Sequence, residues 1–412
     1  MKTKKSLFLL FLIPTLLFSQ GEAAFPFLTL QQSTMLMGAG QIGAALQMKE
    51  ASGFYFNPAQ LGYFSREDNI AVFAMPEKTK WLPHYFGNIS FNSYGLAAGN
   101  NFNKSSGLPL SVGVGYIHNK FDYGEYIQYN PNGTYQKYNS YDSFDYFGVG
   151  AGYDVGIVLN AGIAYKHFAS SIPFTNETGY TSIKKYNGSA FDFGFMMNAP
   201  LSKLLFDDVR IILDEYSIIK PNFDFTVGYS LTNYGDEIYF VDPTQKDPIA
   251  RTARLGYTIG LSADLVLKQT KITIVDYSFT AEAEDILINR TNNFDLSYDN
   301  IFGKITIGKH LINLNGDQSV VVHKGHILRL FDTVIITTGR YNGRGFANIK
   351  SNGLGISLEG IFKMLNSASN NTLLSYITKN FNVEYYTSTN FLDSELETDF
   401  KSIILYFRGI NL

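Results

Sequence analysis

Apolar and polar side chains alternate with a period of two in several segments of the chain. The clearest case is 252–265, where one set of alternate positions is apolar and the other is small, polar or charged. The apolar set is Ala253, Leu255, Tyr257, Ile259, Leu261, Ala263 and Leu265, and the other set is Thr252, Arg254, Gly256, Thr258, Gly260, Ser262 and Asp264. Successive side chains of a β-strand point to opposite faces. The pattern therefore predicts a strand with one wholly apolar face.

The same alternation recurs along much of the chain. Strong segments are 147–154, 157–167, 191–198 and 223–232, and weaker candidates are 69–75, 89–102, 110–121, 272–280, 301–309, 320–328, 333–340, 353–358, 381–387 and 401–407. The strong segments are close to the ~9–11 residues that a tilted strand needs to cross a bilayer. A soluble sandwich of this length would need a repeated domain pattern, which we do not find. We therefore predict an all-β fold, a transmembrane antiparallel β-barrel.

The N-terminus has the layout of a secretory signal peptide. Lys2, Lys4 and Lys5 precede the apolar run Leu7–Phe18, and small and polar residues follow it at 19–21. That run is too short for a membrane-spanning helix. We predict a signal peptide over residues 1–20, with cleavage near Ser19 and Gln20 or, alternatively, near Ala23 and Ala24. The chain has no cysteine, which excludes a lipid-modified N-terminus, disulfide bonds and thiolate metal sites.

Composition favours a barrel over a helical membrane protein. Beyond the signal peptide, no segment approaches the ~20 unbroken apolar residues of a membrane helix, yet the chain contains 28 Tyr and 34 Phe beside one Trp. Residues 1–20 hold three lysines and no acidic residue, so their removal takes the formal charge from −3 to about −6. No basic footprint for nucleic acid is present. We expect membrane lipid to surround the apolar faces of the strands.

The connecting segments are polar and rich in tyrosine. Asp122–Asp145 contains six tyrosines around the turn-forming run Asn130–Gly133, and it predicts a long hairpin excursion outside the membrane. Leu201–Leu213 and Glu359–Leu365 have apolar residues at mixed or helical spacing. We predict short amphipathic helices there.

The segment after the signal peptide, 21–64, does not alternate. It is rich in small residues around Gly38 and Gly40 and continues to Asn57, Pro58 and Ala59. Small residues let backbone segments pack closely, and Asn-Pro starts a tight turn. This segment resembles the N-terminal element of FadL-like barrels and of the PorV/PorQ-type outer-membrane proteins, which carry a glycine-rich stretch and a Phe/Tyr-x-Asn-Pro-Ala-x-Leu motif. The resemblance implies that 21–64 is a hatch that plugs the lumen of a barrel formed by 65–412.

Three further stretches favour the PorV/PorQ type over FadL proper. They are Ala190–Gly194, Val227–Gly235 and Pro248–Gly256, which resemble a mid-barrel strand, a strand end and a strand entry of that family. With the hatch motif they extend the resemblance from about residue 26 to residue 265. Gln60 departs from the family pattern, where glycine is usual. The chain also ends in Asn411 and Leu412 rather than an aromatic residue, so Phe407 is the candidate terminal aromatic for barrel assembly.

The resemblance implies about 14 strands, a place in the outer membrane of a Gram-negative, Bacteroidota-like cell, and a part in the type IX secretion system. The partners would then be a secretion translocon and secreted cargo proteins. A FadL-like transporter of hydrophobic small molecules is the alternative. A barrel-embedded hydrolase using His118 or His167 would be a third class, but neither a nucleophile motif nor metal-ligand spacing supports it. We expect no enzyme activity and no cofactor.

Four charged residues lie on the polar faces of the best strands. They are Asp192, Asp224, Arg254 and Asp264. If the apolar faces contact lipid, these residues face the lumen. Because an unpaired buried charge is costly, an ion-pair lattice that holds the hatch is favoured over a polar pathway for a solute.

Overall fold

The structure is a computed structural model, and it describes residues 23–67, 69–84, 89–129, 134–175, 181–206, 209–239, 246–267, 270–290, 296–369 and 371–409. The predicted signal peptide lies outside these residues. The first barrel strand begins at Asn69, after a 3-10 turn at Ser65–Glu67.

Fourteen antiparallel strands form a closed barrel, in which each pairs with its neighbours in sequence. The strands are β1 (Asn69–Ala74), β2 (Ser90–Asn101), β3 (Leu110–Tyr129), β4 (Tyr135–Asp154), β5 (Val158–Thr175), β6 (Thr181–Ala199), β7 (Ser217–Gly235), β8 (Thr252–Leu267), β9 (Thr270–Ile286), β10 (Val320–Leu330), β11 (Val334–Gly343), β12 (Phe346–Ser357), β13 (Phe381–Asn390) and β14 (Thr398–Arg408). The ring closes because β1 pairs with both β2 and β14. This confirms the predicted fold class.

The helices are short and lie in the hatch region or in connections. They are α1 (Thr34–Gly38), α2 (Gln60–Phe64), α3 (Phe102–Ser106), α4 (Leu201–Leu205), α5 (Glu359–Ser367) and α6 (Thr372–Asn380). Short strands at Thr79–Lys80, Ile211–Asp214, Ile288–Arg290 and Leu296–Tyr298 lie in the connections, together with a π-helical turn at Ile307–Ile312. In the described ranges, no helix has the length and apolar character needed to cross a membrane.

The apolar faces of the strands point outward. Ten apolar side chains, one from each of ten strands, are more than a third exposed: Val72, Leu96, Val114, Val149, Ile163, Phe193, Leu261, Ile336, Leu354 and Ile403. On β8 the alternate positions Arg254 and Thr258 are buried inside. An apolar exterior over a polar, filled interior is typical of a barrel in lipid rather than of a soluble sandwich, whose apolar faces meet in a dry core.

The two ends of the barrel differ. At one end, residues 155–157 and 331–333 make short turns, and β1 begins and β14 ends there. We call this the turn end and the opposite one the loop end. Outer-membrane barrels have short turns on the periplasmic side and longer loops outside the cell.

Three local predictions were wrong or incomplete. Ile301–Lys309 is not a strand; it forms turns and the start of the π-helical turn, because the 299–316 segment packs over the outer faces of β8–β10. Residues 122–129 and 135–145 belong to β3 and β4, which extend beyond the apolar band, while Asn130–Gly133 lies outside the described residues. Leu201–Leu213 is split between α4 and a short strand that pairs with β7.

Candidate functional site

Residues 23–67, which we call the hatch, fill the lumen. They form α1, α2 and three 3-10 turns, elements too short to be stable without tertiary packing. Aromatic rings of the hatch stack on rings of the wall: Phe54 on Tyr146 at 5.2 Å and Tyr55 on Phe144 at 5.3 Å. The hatch is therefore held in shape by the barrel around it.

The predicted residues Asn57, Pro58 and Ala59 lie where the hatch touches the wall most closely. The Asn57 side-chain amide donates to the Ala44 carbonyl at 2.6 Å and to the Phe195 carbonyl of β6 at 3.2 Å, and its oxygen accepts from the Ala59 amide at 3.0 Å. Gln60, the departure from the family pattern, accepts from the Met48 amide at 3.1 Å and so supports the fold of the hatch.

A row of glycines on the inner wall makes this close approach possible. They are directly paired across five successive strands, β2 to β6: Gly99, Gly113, Gly150, Gly162 and Gly194. A Cβ on any of them would lie less than 3.0 Å from hatch atoms between Asn57 and Ser65. We call these five residues the glycine row. Side chains are absent here because hatch backbone occupies their place.

The predicted residues Gly38 and Gly40 contact the opposite side of the wall. The Ser351 hydroxyl donates to the Gly38 carbonyl at 3.1 Å, and His323 Nδ1 donates to the Gly40 carbonyl at 2.8 Å. Gly40 has a φ of 80°, a left-handed conformation that glycine adopts without steric cost. The turn after α1 is thereby fixed against β10–β12.

Glu282 of β9 binds the hatch backbone through several hydrogen bonds at once. Its carboxylate accepts from the amides of Gly43 at 2.9 Å, Ala44 at 2.7 Å and Ala45 at 3.0 Å. Arg254, a predicted lumen residue, donates to the Gln41 carbonyl at 2.8 Å and lies 3.7 Å from Glu282. We call Glu282 and Arg254 the clamp. It places a fully buried carboxylate against backbone donors, which is a strong kind of hydrogen bond.

Further charges support the clamp. Arg254 also pairs with Glu284 of β9, and its guanidinium lies 3.8 Å over the Phe56 ring of the hatch. His323 Nε2 lies 3.4 Å from the Glu284 carboxylate. The clamp therefore belongs to a charge network that joins β8, β9, β10 and the hatch.

Asp192, the second predicted lumen residue, belongs to a separate buried network. It lies 3.2 Å from the ammonium of Lys166, and both side chains are essentially inaccessible to solvent. Lys166 donates to the Asn233 side chain at 2.6 Å, and the Asn233 amide donates to Asp192 at 2.6 Å. The Lys166 ammonium lies 4.6 Å over the Tyr55 ring of the hatch. This network sits at the irregularity in the ladder between β6 and β7.

Asp224 lines a cavity of 730 Å³ between the hatch and the α5–α6 hairpin at the turn end, and Asp264 contacts two residues that line it, Lys271 and Thr273. Asp264 pairs with Lys271 at 2.7 Å and accepts from Asn222 at 2.9 Å. The four predicted lumen residues thus lie in three places. Arg254 and Asp192 face the hatch, whereas Asp224 lines the turn-end cavity and Asp264 lies beside it.

Glu50 of the hatch faces the same cavity and is 6% exposed. Burial raises its pKa to about 7, aided by the Glu384 carboxylate and opposed by hydrogen bonds from Ser33 and Ser52 and by Arg329. The docked hatch therefore binds a proton that the released hatch loses above its ordinary pKa of 4.5.

We expect docking to weaken as the pH rises from about 4.5 to about 7, the released and docked pKa values of Glu50, by up to about 1.4 kcal/mol per pH unit. The sign follows because the docked state holds more protons than the released one. Protease protection of the hatch, measured against pH, checks this. The Glu50→Gln variant should have a flat profile over the same range. An unchanged slope in that variant would assign the pH dependence to another group.

The two histidines of the hydrolase hypothesis lie apart from this region. His118 is on the outer side of β3, with Nδ1 2.9 Å from Asp145, whose carboxylate also accepts from the Tyr116 hydroxyl at 2.7 Å. His167 is on β5, directly paired with Asp145. Among the residues that the structure describes, no group of three or more acidic, His or Cys side chains could hold a metal ion.

Comparison with known proteins gives only distant likenesses. No protein-family model and no curated protein matches the chain. Among solved structures, it is similar to the Pseudomonas putida toluene transporter TodX, with 7% identity over 92% of this chain and 98% of that one and a TM-score of 0.40. It is also similar to a Pseudomonas aeruginosa FadL homologue, with 9% identity, coverage of 91% and 98%, and a TM-score of 0.36. The β domain of the Bordetella autotransporter BrkA matches at 9% identity, coverage of 83% and 98%, and a TM-score of 0.33. At these values the architecture rests on the strand pairing itself, and the PorV/PorQ resemblance stays a prediction from the sequence.

Proposed function

We propose that the protein is an outer-membrane channel for a hydrophobic small molecule and that the hatch holds it closed. The observation that carries this proposal is an apolar stopper, Phe25–Leu28, whose Phe25, Phe27 and Leu28 side chains are buried in an aromatic part of the lumen. The Phe25 ring lies 4.9 Å from Phe168 and 5.7 Å from Tyr186. The Phe27 ring lies 6.0 Å from Phe144. Withdrawal of the stopper would leave an aromatic-lined space suited to an apolar solute.

The stopper is held under backbone strain. Phe25 has φ 55° and ψ 57°, a left-handed conformation that costs a residue with a side chain roughly 1–2 kcal/mol. The Ala24 amide donates to the Pro248 carbonyl at 2.8 Å, and the Tyr55 hydroxyl donates to the Leu28 carbonyl at 2.7 Å. Contacts on both sides therefore hold Phe25 in a strained conformation. Loss of one of these contacts would favour withdrawal of the stopper.

The proposed route from the stopper to the membrane lies where the pairing of β6 with β7 ends. The ladder between β6 and β7 ends at the pair Ala190 and Gly235, while β6 continues to Thr181 in pairing with β5. Ala24 forms a parallel bridge with Ile249. Ile249 lies next to the end of this ladder, because its Cδ1 atom is 2.9 Å from the position that a Cβ on Gly235 would occupy. A solute released there would enter lipid laterally.

A disulfide between the hatch and the loop that connects β7 to β8 tests the proposal. The chain has no cysteine, so Ala24→Cys with Ile249→Cys introduces the sole pair, and partners in a bridge are within the about 4.4–6.8 Å Cα separation that a disulfide needs. We expect uptake of a labelled aromatic hydrocarbon by cells carrying the oxidised variant to be lost and to return on reduction. Trp81, the single tryptophan, lies 6.0 Å from Phe121 and provides a fluorescence signal for binding.

The matched control is a second disulfide in the same loop. Ile238→Cys with Asp247→Cys joins an antiparallel bridge whose two partners both belong to the loop and not to the hatch. Uptake that survives oxidation of the first pair, or that falls equally with the control pair, would rule out the stopper as the gate.

One observation favours a second function, the cargo-handling role in type IX secretion implied by the sequence resemblance. The β3–β4 hairpin extends beyond the apolar band and exposes Tyr126, Tyr129 and Tyr135, a composition common at protein-binding surfaces. Affinity purification from the outer membrane separates the two functions. Co-purified secreted proteins would support the secretion role, and co-purified apolar small molecules would support the channel.

A further inference from the structure

Three cations lie side by side on the outer wall of the barrel. Lys324 of β10 is paired directly with Arg340 of β11, which is paired directly with Lys350 of β12. All three point outward, because the positions that flank them on these strands face the lumen or are buried there. We call these three residues the cation row.

Two of the three charges of the cation row, those of Lys324 and Arg340, are uncompensated. Like charges directly opposite each other on adjacent strands repel. Within the described part of the chain, neither Lys324 nor Arg340 makes an ion pair with a carboxylate. Lys350 has an acidic neighbour, Asp393, at 3.6 Å, which is itself largely exposed. By contrast, Lys137 on the exposed part of β4 is matched by Glu125 at 2.9 Å. The row is arranged as a site for an anion from outside the chain.

The height of the row on the wall indicates which anion. Towards the turn end, the next outward positions are His326, Thr338 and Asn352, and beyond them lie apolar residues such as Ile336 and Leu354. His326 Nδ1 lies 2.8 Å from the Tyr277 hydroxyl, in an aromatic and polar layer. From the middle of the membrane outward, the surface of a barrel wall is first apolar, then aromatic and polar, and then cationic at the level of the lipid headgroups.

We propose that the cation row binds the phosphate groups of a lipid headgroup in the membrane leaflet at the loop end. Arginine contacts phosphate through two parallel N–H groups, and lysine adds a point charge on each side. The acyl chains of the same molecule would lie on the apolar residues below the row. A free phosphate would gain no such contact, so the site selects a phosphorylated lipid.

Binding of bis-phosphorylated lipid A to the purified, full-length protein tests this proposal. The variant Lys324→Gln/Arg340→Gln removes two charges from the row. The matched control, Lys137→Gln/Lys185→Gln, removes two charges from strands on another part of the wall. We expect native mass spectrometry to show at least tenfold weaker lipid binding in the first variant and unchanged binding in the control, with both variants retaining heat-modifiable barrel mobility.

Three results would overturn the proposal. Equal lipid binding by the two variants would place the phosphate site elsewhere. Equal binding of dephosphorylated lipid A to the unmodified protein would show that acyl chains alone account for the affinity. Displacement of the lipid by millimolar inorganic phosphate, with retention of phosphate at the row, would assign the row to a free anion.

Discussion

The Glu282→Ala variant is expected to release the hatch from the barrel. The carboxylate accepts from three consecutive backbone amides, those of Gly43, Ala44 and Ala45. Removing it leaves these donors buried without an acceptor, at about 1–3 kcal/mol for each unsatisfied group. It also leaves Arg254 with one carboxylate fewer in a buried site. We expect a loss of about 3–5 kcal/mol in the free energy of hatch docking, since breaking a buried charged contact on one side costs that much.

Single-channel conductance in planar bilayers checks this expectation. The unmodified protein should be closed for most of the recording, whereas Glu282→Ala should show large, long openings. Asp276→Ala is the matched control, because Asp276 is an acidic residue on the inner side of the same strand that lines the turn-end cavity. Closed traces for Glu282→Ala, or equal opening by the control, would contradict a clamp at Glu282.

The Gly162→Val variant is expected to expel the Asn57–Ala59 turn from the glycine row. A Cβ at Gly162 would lie within 3.0 Å of the Pro58 carbonyl group and the Ala59 nitrogen. These are backbone atoms, so rotation of a side chain cannot relieve the overlap. Overpacking costs about 1–3 kcal/mol in a core that can adjust and more in one that cannot. The barrel strand keeps its neighbours, so the hatch is the part that moves.

Sensitivity of cells to a bulky antibiotic that a closed outer membrane excludes measures this displacement. Gly162→Val should raise sensitivity at least as much as Glu282→Ala does. Gly260→Ala is the control, because a Cβ there would meet the Asp224 side chain at 3.6 Å, an ordinary van der Waals distance, and no hatch atom. Normal resistance in Gly162→Val, with the protein present in the membrane, would mean that the hatch stays in place despite a side chain at this position.

The barrel could be predicted from the sequence because lipid outside and a filled lumen inside impose alternation on each strand separately. The alternation in 252–265 needed no knowledge of its neighbours. The 299–316 segment misled the same reasoning, since Ile301–Lys309 alternates in part but packs on the outside of the wall. The tyrosine-rich parts of β3 and β4 lacked an apolar face because they stand above the membrane.

The contacts that hold the hatch were harder to predict because they join distant parts of the chain. Asn57 and Arg254 were singled out from motif and position, but their partners were not. Glu282 and Lys166 both lie on polar strand faces, and a search for buried charges in alternating segments could have found them. Their pairing with hatch residues depends on register around the whole ring. No local pattern carries that information.

The hatch has a consequence for how the molecule is assembled. It precedes every strand in the chain, yet it is bonded to residues as far away as Ser351, 313 positions later. Bringing such distant positions together carries a large entropic cost that is met late in folding. The seam between β1 and β14 joins the first strand made to the last, so the ring also closes late. Because the hatch elements need the wall to hold their shape, closure of the ring and seating of the N-terminal segment would be one coupled step at the end of folding.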